Sequence, residues 1–267
     1  MNQDPPNKSL RYPSPFVQQL LKLKVWLAER FHVRERQLML LWAALIGLLG
    51  ALVSECFRRA NDVLHFLATG SDVEIISSFA RLELWQKLIV PAAGGFLAGL
   101  TLWIGNRVMM RLRQKTTTDY MEAIVVGNGN ISVGASLVKS VSALFSISSG
   151  ASIGREGPLV QLSSLVASLV GRARSFSVAQ QRQLVACGAA AGIASAYNAP
   201  IAGSFFVAEI ILGTVAVESL GPLILAAVVA TFTAQLLHDG GPIYKSPGFS
   251  LHNYWEILFL SLMGLVS

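Results

Sequence analysis

Charge is scarce in this chain: Asp, Glu, Lys and Arg make up 13% of its 267 residues, about half the share of an ordinary soluble domain. With 53% hydrophobic residues and a mean hydropathy of +0.54, the sequence reads as an all-α, polytopic membrane protein. Cysteine is nearly missing too. Cys56 and Cys187 lie far apart beside apolar runs, which excludes a disulfide framework and leaves two reduced packing residues. His32, His65, His238 and His252 are scattered outside the apolar spans, so no cluster for metal-assisted hydrolysis is expected. A GxxxxGK[ST] phosphate loop is absent, and Gly127-Asn128-Gly129 lacks the third glycine and strand context of a dinucleotide fingerprint. These absences leave no enzyme, no cofactor and no metal. The net charge is +6, but the cations fall in short segments between apolar runs, without interleaved aromatics. That is the pattern of topology determinants, not of nucleic-acid binding. The polar start excludes a cleavable signal peptide as an expectation.

What is present is a series of apolar segments. Met1–Pro15 is a Pro- and Asn-rich lead, expected to be disordered. Phe16–Phe31 alternates apolar and basic residues at helical spacing, which predicts an amphipathic helix on the membrane surface or packed on the rest of the protein. Lys22, Lys24, Arg30, Arg34 and Arg36 precede the first span, Gln37–Val53, and place residues 1–36 in the cytoplasm. Arg58–Lys87, balanced in sign, is expected outside. Leu88–Ile104 then returns, with Pro91, Gly94, Gly95 and Gly99 suited to close helix contacts. Arg107, Arg111, Arg113 and Lys115 put the next loop inside.

From Val125 the pattern changes. Ile131–Ser149 is rich in Ser, carries Lys139 and looks too interrupted for an ordinary span; such segments build midplane sites in transporters. Gly171–Arg182 reads as a basic cytoplasmic loop. Leu184–Ala196 reads as a short Ala-rich helix broken at Tyr197-Asn198-Ala199-Pro200. Ile201–Val217, which holds Glu209, and Leu220–Leu237 follow as helices. Glu218 is expected at an interface. Ile257–Ser267 is half a span that stops abruptly, so the transmembrane region 37–267 is expected to be truncated at its C-terminus.

The stretch with the most chemistry is Gly150-Ala151-Ser152-Ile153-Gly154-Arg155-Glu156-Gly157-Pro158. Pro158 and the apolar run from Leu159 predict a helix whose first turn holds Glu156. Free backbone N–H groups and the helix dipole favour negative charge there, and Gly154 and Gly157 leave the backbone open to an anion. A carboxylate so placed can compete with an anion for one seat, with pH deciding whether it competes. The plainer reading is a glutamate that caps a helix. Arg155 either adds positive potential or pairs locally with Glu156, and Lys139 has the same two roles open to it.

These residues carry a family resemblance. Gly154-Arg155-Glu156-Gly157-Pro158, Asn198-Ala199-Pro200-Ile201-Ala202-Gly203, the Gly188–Ala194 run and the spacing of Lys139 together resemble the CLC family of chloride channels and proton/chloride exchangers. Within it, the bacterial ClcB-type branch is the most similar. The resemblance implies one half of an inverted-repeat fold of tilted and broken helices, in a homodimeric, multi-pass protein of the bacterial inner membrane, embedded in lipid. It implies chloride as the transported ligand, protons as a second cargo in exchangers, and an electrical shunt in acid stress as the role. Glu156 resembles the gating glutamate. Gly154, Arg155, Gly157 and Pro158 resemble its anion-binding surroundings. Gly127–Ile131 resembles a further anion-binding loop, with Asn128 in place of a serine beside Gly129 and Ile131 in place of a proline; the side-chain N–H of Asn128 can still donate to an anion. Ile210 stands where exchangers carry a proton-relaying glutamate. Ile relays no proton, which favours channel-like conduction over coupled exchange. Glu209, one residue away, would point about 100° aside on an α-helix.

Overall fold

The computed structural model describes the backbone of residues 15–70, 78–79, 82–111, 119–211, 213, 217–237 and 254–266, and most side chains from residue 37 onward. The predicted disorder of residues 1–14 and the placements of Arg113, Lys115, His238 and His252 lie outside the described residues. The described elements are helical: α1 (Pro15–Thr69), α2 (Leu84–Arg111), α3 (Tyr120–Val125), α4 (Val133–Ser148), α5 (Glu156–Ala173), α6 (Val178–Tyr197), α7 (Pro200–Phe206), α8 (Val217–Leu237) and α9 (Tyr254–Val266). A single π turn, Val207–Ile211, continues α7. Among the described residues, three segments are long and apolar enough to cross a membrane: Gln37–Thr69, Leu84–Arg111 and Ser219–Leu237.

Helix α6 is the centre. Every residue from Leu184 to Ala196 is buried, because a run of Ala and Gly lets three neighbours approach its backbone. A Cβ at Gly192 would come within 2.8 Å of Val160 Cα on α5, and Gly50 of α1 abuts Ala191. Between such close helices, buried hydroxyls supply the specific contacts. Ser195 of α6 donates to Ser54 of α1 (3.2 Å), Ser54 and Ser163 of α5 share a 3.4 Å bond, and Thr231 of α8 donates to the Ala194 carbonyl (3.4 Å).

Four boundaries differ from the sequence reading, each for a local reason. The amphipathic segment and the first span are one continuous helix, and α1 continues to Thr69, into the mixed-charge stretch Arg58–Lys87 expected outside. Part of its charge turns inward: Glu55 pairs with buried Arg58 (2.7 Å) and with exposed Arg59 (2.9 Å), and Glu55, Arg58, Asn61 and His65 are all buried. Helix α2 starts at Leu84 and carries Pro91 within it. The segment judged too interrupted is an unbroken helix, α4, about 24 Å long at 1.5 Å per residue. Its serines face inward: Ser136 accepts from Gln161 (2.7 Å) and Ser142 donates to the Ala98 carbonyl (3.1 Å). The basic loop expected at Gly171–Arg182 shrinks to the turn 174–177. Ser177 and Gln180 form a reciprocal capping box that starts α6 at Val178, and Trp42 of α1 holds the turn between Phe176 (5.6 Å, edge-on) and Arg174 (5.2 Å, over the ring).

Candidate anion site at the head of α5

Gly150 and Gly154 bracket the approach to α5. Gly150 has φ +91°, a left-handed backbone that side chains rarely adopt. Its N–H closes α4 by donating to the Ile147 carbonyl (3.0 Å), and the Ala151 N–H donates to the Ser146 carbonyl (3.1 Å). The chain then runs to Arg155, the N-cap residue of α5, whose side chain makes no capping hydrogen bond. The first intrahelical bond is Leu159 N–H to the Arg155 carbonyl, 3.4 Å. The amides of Glu156 and Gly157 therefore belong to the unbonded first turn, and Pro158 has no N–H to offer. Gly154 and Gly157 are exposed; Arg155 and Glu156 are half-buried. A Cβ built on Gly154 would overlap Glu156 Oε2, so the carboxylate folds back over the one residue in the stretch that leaves it room.

One other expected feature lies at this end of the molecule. Helices α5 and α6 are antiparallel, so the end of α6 packs beside the head of α5: Ala196 clusters with Leu159, Phe57 and Ile147. The Asn198-Ala199-Pro200 break follows at once. Asn198 adopts the left-handed conformation that ends a helix (φ 56°) and accepts from Gln235 of α8 (2.7 Å). Helix α3 also starts near here. Its Tyr120 N–H donates to Gln161 Oε1 (3.2 Å) on α5, and Gln161 in turn holds Ser136 of α4. Gln161 was passed over in the sequence, where a lone glutamine in an apolar run does not reveal its partners.

Asn128 and Gly129 are not brought to this end. Their loop is fastened to the far end of α5 and the start of α6, where Ser168 Oγ donates to the Gly129 carbonyl (2.8 Å) and accepts from Ile131 N–H (3.0 Å). Ser168 lies more than three turns from Glu156, about 18 Å along the helix at 1.5 Å per residue. Arg182, expected in a loop, sits in α6 and donates to the Gly127 carbonyl (2.7 Å). Asn128 and Gly129, expected as a further anion-binding loop, therefore do not join Glu156 at the head of α5; the length of the helix separates them.

The remaining candidates are placed as follows. Lys139 is exposed midway along α4. Glu209 and Ile210 lie in the π turn, Glu209 exposed and Ile210 52% exposed. A π turn holds more residues than an α turn, so the angle between these two side chains is smaller than the expected 100°. Glu218 falls in the first turn of α8, with its side chain outside the described residues. His65, set aside in the sequence as lying outside the spans, is buried in the last turns of α1.

The profile of the voltage-gated chloride channel family matches residues 94–267. The chain belongs to that family. A putative ClcB-like chloride channel protein of Ralstonia nicotianae is 47% identical over 86% of this chain and 54% of its own length. A voltage-gated ClC-type chloride channel, ClcB, of Yersinia pseudotuberculosis is 41% identical over 84% of this chain and 54% of its own. The chain thus spans about half the length of the curated relatives it matches. Among solved structures, a slow cyanobacterial Cl−/H+ antiporter matches with a TM-score of 0.63 at 21% identity, covering 85% of this chain and 53% of that one. That likeness establishes the shared helical membrane fold. The bacterial family relatives and the apolar spans fit a multi-pass inner-membrane protein.

Proposed function

We propose that the protein moves chloride across the bacterial inner membrane, as a homodimer in lipid, through a pathway gated by Glu156. The observation that carries this reading is the head of α5. An ionisable carboxylate lies over bare glycine backbone, beside amide N–H groups that the helix leaves unbonded. Ionised, the side chain occupies the positive helix end that a chloride would use. Protonated, it loses its claim on that seat. Gly154, Gly157 and the Arg155 guanidinium supply the anion's surroundings, Pro158 fixes the turn, and Lys139 adds positive potential from α4. Asn128 and Gly129 have no part in this seat.

Chloride flow is uncoupled from protons in this reading, because Ile210 offers no exchangeable proton where exchangers carry a glutamate, and exposed Glu209 does not restore a buried relay. Coupled antiport is the second reading, favoured by the antiporter whose fold this chain shares. The reversal potential of the full-length protein across a pH gradient separates them. A zero-current voltage that follows chloride alone supports conduction, and one that tracks the proton gradient overturns it. An electrical shunt in acid stress follows from the first outcome.

A further inference from the structure

The gate residue is only as well placed as the backbone that leads to it, and one buried side chain outside the site fixes that backbone. His65 is 5% exposed in α1. Its Nδ1 lies 3.1 Å from the Ser148 carbonyl at the end of α4. A carbonyl only accepts, so Nδ1 bears the hydrogen and donates. The Thr69 hydroxyl donates to the His65 carbonyl (2.8 Å), which leaves its oxygen facing Nε2 at 3.5 Å.

The imidazole also lies against the Phe79 ring, with centroids 6.2 Å apart and planes tilted by 35°. Phe79 in turn covers Gly150: a Cβ there would come within 2.5 Å of Phe79 Cζ. The last three carbonyls of α4 are thereby engaged, Ser146 and Ile147 by the backbone of Ala151 and Gly150, Ser148 by His65. Beyond Gly154 no side chain caps the entry to α5. Helix α5 is held by its own packing, and the approach to Glu156 from its N-terminal side is held by this anchored turn.

We infer that His65 is a positioning residue for the gate: its hydrogen bond to Ser148 and its contact with Phe79 set the strand that presents the Glu156 carboxylate to the anion seat. The inference rests on the gating role of Glu156. Once the anchor is removed, the strand relaxes and the carboxylate holds its seat for less of the time.

Chloride efflux from liposomes containing the full-length protein at neutral pH tests this in two backgrounds. With Glu156 present, His65→Leu is expected to raise efflux about fivefold, the population shift that the net free energy of one hydrogen bond supports. In a Glu156→Gln background the same change is expected to do nothing, since no charged gate remains to be placed. His65→Asn, which keeps a donor where Nδ1 stood, is expected to behave like the parent. An equal change in both backgrounds assigns His65 a purely structural role and overturns the inference, as does a silent His65→Leu in the parent. If His65→Leu fails to fold, Phe79→Leu reads the same coupling, and its silence in the parent is equally fatal. Glu156→Gln alone reports on the gate: efflux equal to the parent's sinks the gating reading itself.

Discussion

Two glycine-bearing loops lie at opposite ends of α5, and in the sequence both look like anion sites. The Gly127–Ile131 loop has its glycine backbone engaged. The Gly129 carbonyl receives Ser168 and Gln181 (3.1 Å), the Gly127 carbonyl receives Arg182, and the amides of Gly127 and Gly129 donate to Glu122 (2.8 Å) and Ala123 (2.9 Å). At the Gly150–Gly157 loop the order reverses: the first half is bonded, and the Glu156 and Gly157 amides, entering the helix, belong to its unbonded first turn. Glycine serves different ends in the two. Gly129, with φ +70° and Gln181 packed against its α-carbon, is there so that the loop can be welded down. Gly154 is there so that a carboxylate has somewhere to lie. A glycine loop becomes a binding site only where the fold leaves its amides unspent.

The sharpest way to break this contrast is to remove the carboxylate. Glu156→Ala is expected to raise chloride efflux at neutral pH on the order of tenfold, equivalent to about 1.4 kcal/mol, and to abolish the response to external pH. The sign follows from the competition. In the parent the ionised side chain blocks, so efflux rises as pH falls; without it, efflux is high and flat. A variant as pH-sensitive as the parent would return Glu156 to the role of a plain helix cap.

Next come the glycines themselves. Gly129→Ala meets both an unfavourable left-handed backbone and the Gln181 main chain, and is expected to lower stability by about 3 kcal/mol with the pH response of the surviving protein intact. Gly154→Ala is expected to do the reverse: little loss in thermal midpoint, but a shifted pH response, because the new methyl displaces the Glu156 carboxylate. Thermal unfolding in detergent, read beside efflux, distinguishes the two. If Gly129→Ala alters gating while Gly154→Ala only destabilises, the two loops have been assigned the wrong way round. Ser168→Ala should follow Gly129→Ala in kind but not in size. It strands the buried Ile131 amide while the Gly129 carbonyl keeps Gln181, for a loss of about 2 kcal/mol.

Much of this arrangement was legible in the sequence, and the parts that were not have a common cause. Arg155, Glu156, Gly157 and Pro158 announced a helix start by local rules, and Asn198-Ala199-Pro200 announced a stop and a restart; both are decided within a few residues of chain. The capping box at Ser177 and Gln180 was equally local and equally visible, yet the basic composition of Gly171–Arg182 outweighed it. What sequence patterning could not settle was pairing over distance. That α1 carries Glu55, Arg58 and His65 through a packed interior depends on partners on its own inner face and on α4. That Asn128 faces away from Glu156 depends on which end of α5 offered Ser168. For α1 the charge count suggested a stretch outside the membrane, because it registers a cation but not the carboxylate or carbonyl waiting for it.

Arg182 offers the mildest test of the same contrast. Its guanidinium holds the Gly127 carbonyl at 2.7 Å through Nε and the Val126 carbonyl at 3.4 Å through Nη2, the latter at the exposed edge of the structure. Water can replace a partner there, so Arg182→Gln should cost far less than a buried loss, about 1 kcal/mol. The loop should loosen enough to exchange its amide hydrogens faster around residues 126–129, with efflux and its pH response unchanged. Faster exchange at Gly150–Glu156 instead would mean that the two ends of α5 communicate along the helix. The gate would then depend on the welded loop as well as on the strand that leads into it.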